Sequence, residues 1–151
     1  MEARVALTSG VEAAQLSTSG RLHARYTGEN CSVLETDGVL ELGRLAAARF
    51  LEWAAEHPDG VVSLPTGRTP ETFIREVRRL RASWATPATQ TELATLGLRR
   101  SPAPPPLSRL RFVQLDEFFP IDGAAGNSFK SYVEREYLTE VRSASPPAAG
   151  R

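Results

Sequence analysis

The chain has 151 residues, and its 18 basic and 18 acidic side chains leave a formal net charge of zero. That balance excludes a global electrostatic field that would recruit nucleic acid or an anionic membrane. No apolar run reaches the length of a membrane span, and the N-terminus lacks the apolar core of a signal peptide, so the expected address is the cytoplasm. The size is that of one domain with a modest core.

Cys31 is the only cysteine, which rules out an internal disulfide and any zinc site built on paired thiols. Lys130 is the only lysine, and the arginines are scattered. Arg78, Arg79 and Arg81 read as a solvated helix face rather than an anion patch.

Residues 1–30 are polar and weakly patterned, as in a flexible arm or a small edge element. The alternation from Arg21 to Tyr26 permits a short strand, and Cys31–Glu35 permits another. Thr36 or Asp37 then offers a capping oxygen to a helix running from about Gly38 to His57. Its apolar positions (Val39, Leu42, Ala46, Phe50 and Trp53, widened by Leu51 and Ala54) suit packing on a sheet. The His57-Pro58-Asp59-Gly60 run stops it.

Val61-Val62-Ser63-Leu64 has the apolar character of a parallel strand covered on both faces. The turn Pro65-Thr66-Gly67-Arg68 follows, and Thr69-Pro70-Glu71 opens a helix with a capping hydroxyl, a proline at the first position and an acid in the first turn. Phe73, Ile74, Val77, Leu80 and Trp84 recur at helical spacing. Residues 85–109 read as a loop or insertion, with a short helix near Thr91–Leu96 and a Pro-rich linker after it. Leu110 to Leu115 restores strand character, with Asp116 and Glu117 at its C-terminal end. Asn127 or Ser128 can cap a last helix whose apolar face uses Phe129, Tyr132, Val133, Tyr137 and Val141. Residues 143–151 form a Ser/Pro/Ala/Gly tail, expected to be disordered.

Alternating helices and strands indicate an α/β fold with a parallel sheet. Two clear strands are few for such a sheet, which therefore reads as an incomplete doubly wound, Rossmann-like arrangement over residues 31–142. Ligands gather at the C-terminal ends of strands in open α/β sheets, and both unusual segments lie there. Residues 64–70 place free N–H groups and hydroxyls at a helix N-terminus, an arrangement that binds anions. Gly67 admits positive φ, Thr66 and Thr69 bring hydroxyls, and Arg68 brings a charge. The turn is not a Walker A loop, and an ordinary capped strand–helix turn is the alternative. Asp116 and Glu117, adjacent in a strand, point to opposite faces, so one can meet a ligand while the other braces the loop. A solvated pair is the alternative.

Leu-Pro-Thr-Gly-Arg-Thr-Pro at 64–70, Gln-Leu-Asp-Glu-Phe at 114–118 and Asn-Ser-Phe at 127–129 together resemble the glucosamine-6-phosphate deaminase/isomerase family. The resemblance covers roughly Val39 to Leu138. It implies hydrolytic deamination of an amino-sugar 6-phosphate to fructose 6-phosphate and ammonia, with a small-molecule sugar phosphate as partner and neither metal nor redox cofactor. Thr66, Gly67, Arg68 and Thr69 would hold the 6-phosphate. Asp116 would move a proton between C1 and C2 of the opened sugar, and Glu117 would support that loop. Self-association is compatible with the reading, and no nucleic-acid or membrane partner is implied.

The sequence departs from the family pattern. Phe118 replaces a Tyr, Phe119-Pro120 replaces Val-Gly, and Phe129 stands where a second Tyr is expected. The related 6-phosphogluconolactonases share the turn but carry Arg where Phe118 stands. The family's later Gly-rich segment, with further acids and a histidine for ring opening, has no match here, and His23 and His57 both precede the first motif. The resemblance therefore implies an incomplete active site, inactive alone, with a non-catalytic sugar-phosphate-binding module or a 6-phosphogluconolactonase-like hydrolase as the alternatives.

Overall fold

The computed structural model describes residues 9–18 and 34–139. The segments at 21–26 and 31–33, Cys31, Val141 and the tail at 143–151 lie outside the described residues. Within the stretch read as a weakly patterned arm, Gly10–Thr18 forms helix α1. Its cause is local. Ser9 and Glu12 have capping-box spacing, and Ser9 Oγ accepts the Glu12 N–H at 3.0 Å. Glu52 of the next helix accepts Ser9 Oγ at 2.5 Å and the N–H groups of Gly10 and Val11 at 2.6 and 3.2 Å. Val11 and Leu16 are buried on this docked helix.

Helix α2, Val39–Glu56, follows the anticipated span, but neither Thr36 nor Asp37 caps it by side chain. Gly38 occupies the cap position, and Glu41 reaches back to accept the Asp37 N–H at 2.6 Å. The helix ends at His57, before the Pro-Asp-Gly turn. Strand β1 is Val61–Val62, helix α3 is Glu71–Ala82, helix α4 is Pro87–Thr95, and strand β2 is Arg111–Phe112. Helix α4 starts four residues before the anticipated Thr91, because Thr86 accepts the Thr89 N–H and Pro87 sits at the first helical position. Helix α5, Phe129–Val133, continues directly into a π-helical turn, Glu134–Leu138.

The two strands are parallel neighbours, with Val61 opposite Arg111 and Val62 opposite Phe112. They are shorter than their apolar runs for a specific reason. The ladder is held by Arg111 N–H to Gly60 O and Val113 N–H to Val62 O, both 2.9 Å. The next acceptor, Val113 O, is taken at 2.6 Å by the hydroxyl of Ser63. A side chain thus substitutes for the next rung, and regular pairing stops where the two loops begin.

Helices α2 and α3 pack closely: a Cβ placed on Gly43 would lie 2.5 Å from Thr72 Cγ2, so only glycine fits at this crossing. The main core gathers Ala47, Ala48 and Leu51 of α2, Leu80 of α3, Trp84 and Leu93. The Pro-rich stretch belongs to the domain, since Leu98 and Leu107 are buried and Arg81 donates to Pro105 O at 2.5 Å. Trp84 is buried but satisfied, its indole N–H donating to Ser101 O at 2.9 Å. Arg79 binds Glu76 and Glu92 and so ties α3 to α4, while Arg44 adds α2 to the same network. The hydrogen bond from Arg79 holds the Glu92 carboxyl below its ordinary range. A second cluster, Ile74, Val133 and Tyr137 with Leu64, Phe73 and Phe112, lies beneath the loop that follows β1. Beside the free edge of β1, an open groove of about 800 Å³ is lined by Val39, Leu42, Trp53 and Val61, and runs up to Thr69 and Pro70.

Candidate functional site

Because β1 and β2 are parallel and adjacent, the segments leaving their C-terminal ends emerge from the same edge of the sheet. Residues 63–70 leave β1, and residues 113–118 leave β2. The segment after β1 is built as the sequence suggested in one respect and differently in another. Gly67 has φ of 88°, and a Cβ there would meet nothing within 4 Å, so the residue is needed for conformation rather than for space. Thr69, however, does not cap α3. Pro70 already has helical dihedrals, and the first turn is closed by Glu71 N–H to Arg68 O at 3.2 Å and Ile74 N–H to Pro70 O at 2.9 Å. Among the described residues, the N–H groups of Thr72 and Phe73 have no acceptor, which leaves two donors and the positive end of the helix dipole facing the turn. The hydroxyls of Thr66 and Thr69 and the guanidinium of Arg68 are likewise unengaged among the described residues. Arg68 and Thr69 are exposed.

The loop is nonetheless held from behind. Tyr132 Oη donates to Gly67 O at 2.8 Å, and Tyr137 Oη donates to Pro65 O at 2.6 Å. Burial pushes both phenols above their ordinary pKa, so they remain donors throughout the neutral range.

After β2, the adjacent carboxylates part as alternation requires. Asp116 is exposed, and its carboxylate has no partner among the described residues. Glu117 turns to α5 and accepts the N–H groups of Lys130 at 2.9 Å, Phe129 at 3.0 Å and Phe118 at 3.1 Å, with Gln114 Nε2 at 3.3 Å. Partial desolvation works against its ionisation, but these donors outweigh it and hold the carboxyl below its ordinary value. Glu117 therefore satisfies the open N–H groups at the start of α5 while Ser128, buried, caps the same end by accepting Ser131 N–H at 3.0 Å. Phe118 packs on Phe129 at 4.6 Å between ring centres, closing the loop on the helix.

The fold thus brings the two anticipated segments to one sheet edge and separates the roles of the two acids. His57 lies at the end of α2, before β1 and so at the opposite end of the strand; its ring stacks on Trp53. Among the described residues no group of three His, Cys, Asp or Glu side chains could hold a metal ion, and no helix is long and apolar enough to cross a membrane. Sequence reasoning missed the two tyrosines as site residues. It placed both on an apolar helix face, and nothing in a 3.6-residue period marks residues five apart as reaching one loop.

No protein-family model matches the chain, and no curated protein does. Among solved structures, it is similar to a monomeric glucosamine-6-phosphate deaminase described as a missing link of the NagB superfamily, with a TM-score of 0.53 and 26% sequence identity. The likeness covers 72% of this chain and 37% of that protein, so the chain spans a little over a third of its length. The helix-flanked parallel strands, with the Gly67 turn at their C-terminal edge, are a small α/β arrangement of the Rossmann-like kind, similar in fold to a NagB-superfamily deaminase.

Proposed function

We propose that the chain binds a sugar phosphate through Thr66, Gly67, Arg68 and Thr69 and presents Asp116 for proton transfer between C1 and C2 of the opened sugar, as in an amino-sugar-phosphate deaminase/isomerase. The observation that carries the reading is the shared sheet edge: a helix N-terminus with open N–H groups, the kind of end that suits an anion, and a carboxylate unengaged among the described residues follow two paired parallel strands. The likeness to a glucosamine-6-phosphate deaminase supports the same chemistry.

In this reading the phosphate is held by the N–H groups at the start of α3 and by Arg68, and the Thr66 and Thr69 hydroxyls complete its shell. Anchoring the phosphate fixes the far end of the sugar, so that C1 and C2 are brought to the β2 loop at little further entropic cost. Asp116 acts as general base and then as general acid, taking the proton from one carbon and returning it to the other. Glu117, committed to the α5 amides, keeps the Asp116 backbone in place and takes no proton.

Titration calorimetry with fructose 6-phosphate against fructose tests the binding part. Saturable binding of the phosphate ester alone, lost in Arg68→Glu, is the expected result. Equal affinity for both sugars would refute it. Deuterium exchange from solvent into C1 of fructose 6-phosphate tests the chemistry and should vanish in Asp116→Asn. Among the described residues the carboxylate of Asp116 contacts nothing that would orient it, which favours a second reading, a non-catalytic sugar-phosphate-binding module. Phosphate-dependent binding without any exchange in the wild-type protein would select that reading.

A further inference from the structure

Tyr132 and Tyr137 are five residues apart, which on a regular α-helix places them about 140° from one another around the axis. Here both reach the same short loop, and their rings meet at 6.1 Å with an interplanar angle of 64°. The π-helical turn at Glu134–Leu138 is the cause. Its i→i+5 closure adds a residue to the turn and rotates Tyr137 back over Tyr132. Such turns are uncommon and concentrate at functional sites, and this one is spent on bringing two hydroxyls to two carbonyls.

What the hydroxyls accomplish follows from peptide geometry. The carbonyl of Pro65 and the N–H of Thr66 belong to one planar trans peptide, and so do the carbonyl of Gly67 and the N–H of Arg68; the cis bond among the described residues lies elsewhere, at Phe119-Pro120. In a trans peptide the C=O and N–H point in opposite directions. A phenol that holds the Pro65 or Gly67 oxygen towards the helix therefore turns the Thr66 or Arg68 N–H away from it, to the open side of the turn. Neither N–H has an acceptor among the described residues. Positive φ at Gly67 makes the arrangement sterically available, and the two phenols select it.

We propose that Tyr132 and Tyr137 form a positioning clamp that sets the carbonyls of the turn and thereby aims the Thr66 and Arg68 amides at the phosphate group of a sugar phosphate. The proposal rests on the anion-binding reading of residues 66–69 and adds to it the residues that pre-organise the turn. The clamp lies outside the binding surface. Its tyrosines touch main-chain oxygens and the apolar cluster of Phe112 and Ile74, not the ligand.

The test uses Tyr132→Phe, Tyr137→Phe and the double variant, which keep the rings and remove only the hydroxyls. Inorganic phosphate and fructose 6-phosphate are titrated into each 15N-labelled protein, with the amide resonances of Thr66 and Arg68 followed together with the dissociation constant. The wild-type resonances are expected to shift on titration. Each variant should bind phosphate about fivefold more weakly, the size of one net hydrogen bond, with faster amide exchange at Thr66 and Arg68. The melting temperature should fall by no more than about 4 °C per hydroxyl. A purely structural role would lower the melting temperature and leave the affinity untouched, which overturns the clamp. Unchanged affinity together with unchanged amide exchange overturns it as well, while wild-type binding stays intact and the anion reading survives. A wild-type protein whose Thr66 and Arg68 amides do not respond to phosphate overturns the anion reading, and the clamp falls with it. If the double variant does not fold, the two single variants carry the same comparison.

Discussion

Gly67→Ala isolates the conformational demand of the loop from its contacts. A Cβ at this position meets nothing within 4 Å, so the substitution adds no clash. The remaining cost is that of holding an L-residue at φ of 88°, about 1–2 kcal/mol. For a chain of this length, that should lower the melting temperature by about 2–8 °C. Urea unfolding followed by tryptophan fluorescence measures the free energy directly, because Trp84 is buried in the main core and Trp53 is half-buried on α2. The m-value should stay constant, since the surface exposed on unfolding does not change. Gly67→Asn should cost about half as much as Ala, because the Asn side chain tolerates left-handed backbone. If alanine costs nothing, or if asparagine costs as much as alanine, positive φ at Gly67 is not what the turn depends on, and the argument fails.

Two further perturbations test the surroundings of the site. Glu52→Ala removes the acceptor for Ser9 Oγ and for the Gly10 and Val11 N–H groups; a loss of about 2–3 kcal/mol is expected, with amide-exchange protection lost selectively over α1, and protection there equal to the wild type would show that Glu52 does not dock it. Glu117 has a folded-state pKa below its unfolded value, so its contribution to stability is fully present above the unfolded value and is lost as pH falls through the folded one. Glu117→Gln should therefore be less stable than the wild type at neutral pH, with the two denaturation curves converging in acid, and a difference that does not depend on pH would refute the bracing role.

Much of this organisation was legible in the chain itself. The span of α2, its stop at Pro58 and Gly60, and the buried face Ile74, Val77, Leu80 of α3 follow from a 3.6-residue period. The stripe Val39, Leu42, Ala46, Phe50 and Trp53, by contrast, lines the open groove, and Ala47, Ala48, Leu51 and Ala54 carry the α2 core instead. The Ser9-to-Glu12 spacing carries α1, but polar surroundings mask a helix whose N-terminus is completed by Glu52 from a distant position. Apolar character overstates the strand lengths, because it does not reveal that the Ser63 hydroxyl replaces a rung. The Thr66 to Thr69 turn could be recognised from residue type, but its backbone orientation could not, because it is imposed by Tyr132 and Tyr137 through a change of helical period.

Helix α5 with its π-helical turn is the piece that both loops share. Its first amides are gripped by Glu117 from the β2 loop, and its tyrosines grip the β1 loop, while regular strand pairing gives way to the Ser63 side-chain bond. Those ten residues work as a yoke: rotating them about their axis would drag Pro65 and Gly67 one way and Glu117, with Asp116 beside it, at the same time. The main chain on either side of the candidate site is therefore tied through one helix as well as through the strand pair.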